Sequence, residues 1–152
     1  MKITDSKSRK TKIFIDTSVI IAGLISSTGA SAAILDLCES EILEMVINKQ
    51  VLVEADRNFE NKFPCLVQEF RNFIKDTAPT LVADPTNEEI RKAQKLINSK
   101  DSPILAAALR EKVNFLVTLD NHFLLLKEKV AIKIVSPAEF IKEFRLDFAE
   151  EI

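Results

Sequence analysis

Lys12-Ile13-Phe14-Ile15-Asp16-Thr17-Ser18 is the stretch on which the fold turns. Its first half is a short apolar, β-branched run and reads as a strand. Asp16-Thr17-Ser18 then reads as a turn and helix cap in front of an apolar segment, 19–25. An acid at the end of a strand is badly placed for a core. In an open parallel sheet, ligands bind beyond the carboxyl ends of the strands, so the same acid is well placed for a site.

Outward from this stretch, strand and helix patterns alternate. Residues 31–40 predict a helix with Ile34, Leu35 and Leu37 on one face, and 43–47 a second strand. Asn48 caps a helix through Val51, Leu52, Ala55 and Phe59. Pro64 opens another that carries Leu66, Val67, Phe70, Phe73 and Ile74 at helical spacing. Residues 80–83 form a short strand that Pro85 ends. Thr86 with Glu89 matches a capping box and starts a helix through Ile90, Ala93 and Ile97. Asp101 opens a compact helix with Pro103 in its first turn. Two more strands follow, 115–118 and 132–135, and Ser136-Pro137 starts a final helix. Five strands separated by helices predict an α/β fold: a central, mostly parallel sheet covered on both faces. Phe59, Phe63, Phe70, Phe73, Phe140 and Phe144 lie at helical spacings and are expected in the core rather than on a stacking surface.

The 152-residue chain suits one domain, with 47% apolar and 29% charged residues. It divides into a basic leader (1–11), the folded domain (12–146) and an acidic tail (147–152). Cys38 and Cys65 sit beside leucines and are expected as reduced core residues. No Cys/His cluster offers a structural zinc site. No apolar run reaches the roughly 18 residues of a membrane span, and no secretory signal is present, so a cytoplasmic location is expected. The net charge of −2 is not that of a dedicated nucleic-acid binder. It leaves room for an enzyme that approaches a polyanion through bound metal ions and local basic patches. Lys2, Lys7, Arg9, Lys10 and Lys12 form one such patch.

Four carboxylates stand out. Asp16 and Asp120 each follow an apolar strand, Asp101 precedes a helix, and Glu54 lies beside Val51, Leu52 and Ala55 on the apolar side of its helix. A helix cap explains Asp16 or Asp101 singly; the set asks for more. Like charges at about 4 Å cost about 4 kcal/mol at an effective dielectric near 20, and a bound cation relieves that repulsion. An all-oxygen set suits Mg²⁺ or Mn²⁺. No Cys–His pair or Gly-x-Ser-x-Gly motif offers a covalent nucleophile instead.

Ile13 to Ser18 resembles the opening of a PIN domain. Asp101-Ser102-Pro103-Ile104-Leu105-Ala106-Ala107-Ala108 resembles that family's third-acid helix, and Phe115-Leu116-Val117-Thr118-Leu119-Asp120-Asn121-His122-Phe123 its last strand and acidic turn. Glu54 matches the family's glutamate on the helix after the second strand. The resemblance implies a three-layer α/β/α sandwich and a Mg²⁺- or Mn²⁺-dependent ribonuclease whose catalytic and metal-holding residues are Asp16, Glu54, Asp101 and Asp120. Beside these acids, Ser18 is placed to hydrogen-bond Asp16 or a metal-bound water, and Lys100 and Asn121 to contact phosphate or a metal-bound water, with plain surface solvation the competing reading for the last two. Many family members are VapC-like toxins neutralised by a small antitoxin protein, and dimers are common, so an RNA substrate, an antitoxin and a homodimer are implied. His122 departs from the pattern. It stands where a second acid often follows the first, and the resemblance gives it no catalytic role. The alternative is a PIN-like module that has lost activity and binds RNA or protein. A phosphotransfer domain would prefer a second acid beside Asp16, where Thr17 and Ser18 stand.

Overall fold

The computed structural model describes residues 10–151, with side chains as far as 145. Lys2, Lys7 and Arg9 of the basic leader lie outside the described residues, as do the side chains of the acidic tail. Five strands form one sheet: β1 (Thr11–Ile15), β2 (Leu43–Asn48), β3 (Thr80–Val82), β4 (Phe115–Val117) and β5 (Lys133–Val135). Their order is β3-β2-β1-β4-β5, and every neighbouring pair is parallel. The α/β expectation therefore stands, with an all-parallel sheet.

The connections are helical, as parallel strands require. α1 (Thr17–Ile25) and α2 (Ala30–Glu39) join β1 to β2. α3 (Lys49–Lys62) and α4 (Val67–Thr77) lead to β3. α5 (Asn87–Gln94) and α6 (Ser102–Glu111) lead back to β4. α7 (Asn121–Leu124) precedes β5, and α8 (Pro137–Glu151) follows it. The cap signals work as read: Asn48 Oδ1 accepts from Val51 N, and Thr86 and Glu89 close a reciprocal capping box. The helix expected as far as Ile97 stops at Gln94, and Ile97 is buried from the turn beyond it. Helix α8 crosses the expected boundary at 146 without a break.

The core lies on both faces of the central strand. Ile13, Phe14 and Ile15 are fully buried, so β1 is covered on each side. Phe59 stacks on Phe70 with ring centroids 5.0 Å apart, and Phe140 meets Phe115 edge-on at 5.0 Å. The phenylalanines thus pack as expected, Phe63 and Phe144 at the margin of the core. Cys38 is buried, which pushes its thiol pKa up to about 12 and keeps it inert. Cys65 corrects the sequence reading: it is exposed. Pro64 opens a 3₁₀ turn, Pro64–Leu66, ahead of α4, and none of the residues in that turn is buried. Among the described residues no single helix is long and apolar enough to cross a membrane.

Gly23 sets how closely α1 approaches α2. A Cβ there would lie 2.5 Å from Leu35 Cδ1 and 3.0 Å from Ser31 O. Leu35 is buried and has little room to yield. Overpacking costs about 1–3 kcal/mol, while alanine gains about 1 kcal/mol over glycine in helix propensity. Gly23→Ala is therefore expected to lower the melting temperature by a few degrees, at about 2–4 °C per kcal/mol. A rise on thermal denaturation would mean that propensity outweighs the clash.

Candidate active site

The chain leaves β1 in one direction to build β2 and β3, then returns to build β4 and β5 on the other side. The carboxyl ends of β1 and β4 therefore flank the switch point of the sheet, where side chains are not covered by a crossover. Asp16 follows β1 directly, and its backbone N–H donates to Val117 O at 3.1 Å, extending the β1–β4 ladder by one residue.

Asp16 is 7% exposed. Its Oδ1 accepts from Thr17 N (2.8 Å), the cap of α1, and its Oδ2 accepts from Ser18 Oγ (3.0 Å) and Thr118 Oγ1 (2.9 Å). Burial pushes its pKa above the ordinary carboxylate value. The three hydrogen bonds pull it back in part, and the negative charge of Asp101 adds to the rise. A raised folded-state pKa means that the native protein binds this proton more tightly than the unfolded chain does. The corresponding stability is full below the unfolded value of 3.8 and is lost as pH rises through the higher folded value. At neutral pH, without metal, the ionised Asp16 costs stability. Asp16→Asn is thus expected to melt no lower than wild type in chelator at pH 7, with its relative advantage shrinking toward pH 4. A variant that melts well below wild type at pH 7 would contradict this.

Thr118 ties the second acidic turn to the first. Fully buried, it donates to Asp16 and accepts from Asp120 N at 2.9 Å. Ser18 does the same one residue along, accepting from Leu119 N at 3.2 Å. Asp120 caps α7, with Oδ1 accepting from His122 N at 2.9 Å. Asp101 stands at the head of α6 but its side chain does not cap that helix. Its carboxylate accepts from Asn98 Nδ2 at 2.9 Å, and its N–H donates back to Asn98 Oδ1 at 2.9 Å. Asp101, Asp120 and His122 each bring one ligand atom within 4.8 Å of the other two.

Asp16 stands outside that trio, near enough to Asp101 to feel its charge, and so does Glu54, half-buried on α3. Gln50 Nε2 lies 3.4 Å from Glu54 Oε1 and 3.1 Å from Lys100 O, so one amide bridges Glu54 to the residue preceding Asp101. Lys100 and Asn121 are exposed beside Asp101 and Asp120. Lys10 and Lys12 stand at the amino end of β1, the edge of the sheet opposite Asp16, and Lys10 pairs with Glu41 at 3.9 Å. They do not border the acids.

Three of the four expected acids thus share one corner with Ser18, and Glu54 reaches it through Gln50. Sequence reasoning missed Thr118, Gln50 and Asn98, and it gave His122, now beside Asp101 and Asp120, no catalytic role. Gln50 and Asn98 were within reach of it, four residues before Glu54 and three before Asp101, spacings that share a helix face or a turn. Among the described residues no Lys or Arg forms an ion pair with Asp16, Glu54, Asp101 or Asp120. A buried carboxylate with a raised pKa and two partly buried ones beside it, without a Lys or Arg partner among the described residues, make a donor set that fits a divalent metal ion.

Sheet and acids together define an α/β domain with a carboxylate cluster at its switch point. A family model described as PIN domain matches residues 12–122, and the chain belongs to the PIN domain family, whose members are generally nucleases. No curated protein sequence matches it. Solved structures share the fold at low identity. PAE2754 from Pyrobaculum aerophilum aligns with a TM-score of 0.63 at 14% identity, over 87% of this chain and 94% of that one. VapBC2 from Rickettsia felis, bound to a DNA fragment from its promoter, gives 0.63 at 13%, over 83% and 98%. FitAcB from Neisseria gonorrhoeae gives 0.59 at 17%, over 82% and 97%.

Proposed function

We propose that this protein is a metal-dependent endoribonuclease that hydrolyses RNA phosphodiester bonds at Asp16, Asp101 and Asp120, with Glu54 as the outlying fourth acid. The observation that carries the reading is the gathering of Asp16, Asp101 and Asp120 at the switch point with no Lys or Arg paired to them among the described residues. Asp16, Asp101 and Asp120 would hold Mg²⁺ or Mn²⁺. When bound, such an ion supplies charge neutralisation at the phosphate and activation of a water. Ser18 and Thr118 hold the Asp16 carboxylate in one orientation by donating to the same oxygen. Lys100 and Asn121, exposed at the rim, face solvent where a phosphate backbone would approach.

The VapC-like resemblance, with VapBC2 among the similar folds, supports a toxin neutralised by a small antitoxin and acting in the cytoplasm as a homodimer. The test is cleavage of single-stranded RNA with Mg²⁺ or Mn²⁺, with and without chelator. Cleavage is expected with either ion and is expected to stop in chelator. Inactivity on a broad panel of RNAs would favour the binding-module alternative.

A further inference from the structure

We propose that His122 is a nitrogen ligand to the ion held by Asp101 and Asp120, and that it biases the site toward Mn²⁺ over Mg²⁺. The inference rests on the metal-dependent reading above and adds to it a residue outside the family's acid set.

The ring position is the first argument. The backbone N–H of His122 is already capped by Asp120 Oδ1 at 2.9 Å. The imidazole nevertheless turns back onto the same carboxylate, with Nδ1 3.3 Å from Oδ1. Its side chain remains 69% exposed, so apolar burial does not set its direction. Turned this way, a ring nitrogen falls within 4.8 Å of ligand atoms of both Asp101 and Asp120.

Asp101 supplies a second, independent argument. At the head of α6 its side chain could cap the helix and does not. Asn98 holds it instead, through Nδ2 to Oδ2 at 2.9 Å, in the orientation that brings it to Asp120 and His122. Two partly buried carboxylates are thus held close together, and among the described residues the only positively chargeable side chain paired with either is His122 itself. Three donors of this kind, two oxygens and one imidazole nitrogen, make a ligand set that an ordinary surface cap does not require.

The chemistry of the set then decides the ion. Mg²⁺ demands hard oxygen ligands and keeps its waters, so replacing a carboxylate by an imidazole weakens its hold. Mn²⁺ shares the preference for carboxylate oxygen but, as a first-row transition ion at the weak end of the affinity series, binds a nitrogen ligand more readily than Mg²⁺ does. An acid at position 122 would serve both ions; histidine favours Mn²⁺.

His122 is the one histidine in the chain, which makes the inference directly readable. Tag-free protein loaded with Mn²⁺ should show ¹⁴N coupling to the ion in pulsed electron paramagnetic resonance, and His122→Ala and His122→Asp should lose it. By calorimetric titration with each metal ion alone, His122→Ala should lose about tenfold or more in Mn²⁺ affinity, the range that loss of even an outer-shell partner produces, and far less in Mg²⁺ affinity. His122→Asp should recover binding with the preference moved toward Mg²⁺. Absent nitrogen coupling in wild type, or equal losses for the two ions in His122→Ala, overturns the role of His122. If the ions still bind and Asp101→Asn abolishes that binding, the metal-dependent reading survives that failure. Wild type that binds neither ion overturns both.

Discussion

Asp16→Asn is expected to lower RNA cleavage by more than about a hundredfold while the protein remains folded. Asp16 is the most buried of the acids and sits at the centre of the sheet, between the ends of β1 and β4. Burial makes its charge costly for the fold to hold, and a cation bound nearby would offset that cost. Asparagine keeps the size of the side chain and the oxygen that caps α1 through Thr17 N. It removes the negative charge, and it presents an amide to the Ser18 and Thr118 hydroxyls, which can rotate to accept. The loss therefore falls on stabilisation of the reacting phosphate rather than on the fold. A deficit of about 3 kcal/mol, at 1.36 kcal/mol per factor of ten, exceeds a hundredfold in rate. Single-turnover cleavage of a defined RNA in Mn²⁺, with wild type and variant matched by circular dichroism, measures it. Variant activity within tenfold of wild type would remove Asp16 from the centre of the site.

The parts of this arrangement that could be read in advance are those set by short-range pattern. Ile13-Phe14-Ile15 has one reading, a buried strand, and it stops on Asp16 within the same seven residues. Asn48 and the Thr86–Glu89 box marked their helix starts because a cap is a local hydrogen bond. What periodicity cannot supply is register. Thr118 is unremarkable until Ile15 is paired with Val117, after which Asp16 and Thr118 must be neighbours. The face of Glu54 could be argued from Val51 and Ala55, but its connection to Lys100 depends on how α3 packs beside the loop before α6. An apolar neighbour does not bury Cys65, because Pro64 starts a 3₁₀ turn none of whose residues is buried. A lone His outside the family pattern has no catalytic role on sequence grounds; the turn of its ring onto Asp120 is a side-chain fact.

Thr118→Val is expected both to destabilise the protein and to weaken the site, and the two effects share one cause. The Thr118 hydroxyl is fully buried and makes two hydrogen bonds, donating to Asp16 Oδ2 and accepting from Asp120 N, each at 2.9 Å. Valine fills the space but does neither. It leaves the buried Asp16 carboxylate with one donor fewer and the Asp120 N–H without its acceptor. Each group that loses its partner costs about 1–3 kcal/mol, so a total loss of about 2–6 kcal/mol at neutral pH follows. The pH dependence identifies the cause. The hydroxyl favours the ionised form of Asp16, so its contribution is present where Asp16 is charged and fades as pH falls and the carboxylate takes up its proton. The melting-temperature gap between wild type and Thr118→Val should therefore narrow from pH 7 toward pH 4. Activity should fall by about ten- to a hundredfold, as when the partner that orients a metal ligand is lost. Thr118→Ser keeps the hydroxyl and should restore most of both. A gap that is constant with pH, or a serine variant as impaired as the valine one, would mean that packing of the methyl group, rather than the hydroxyl between the two acids, is what this position supplies.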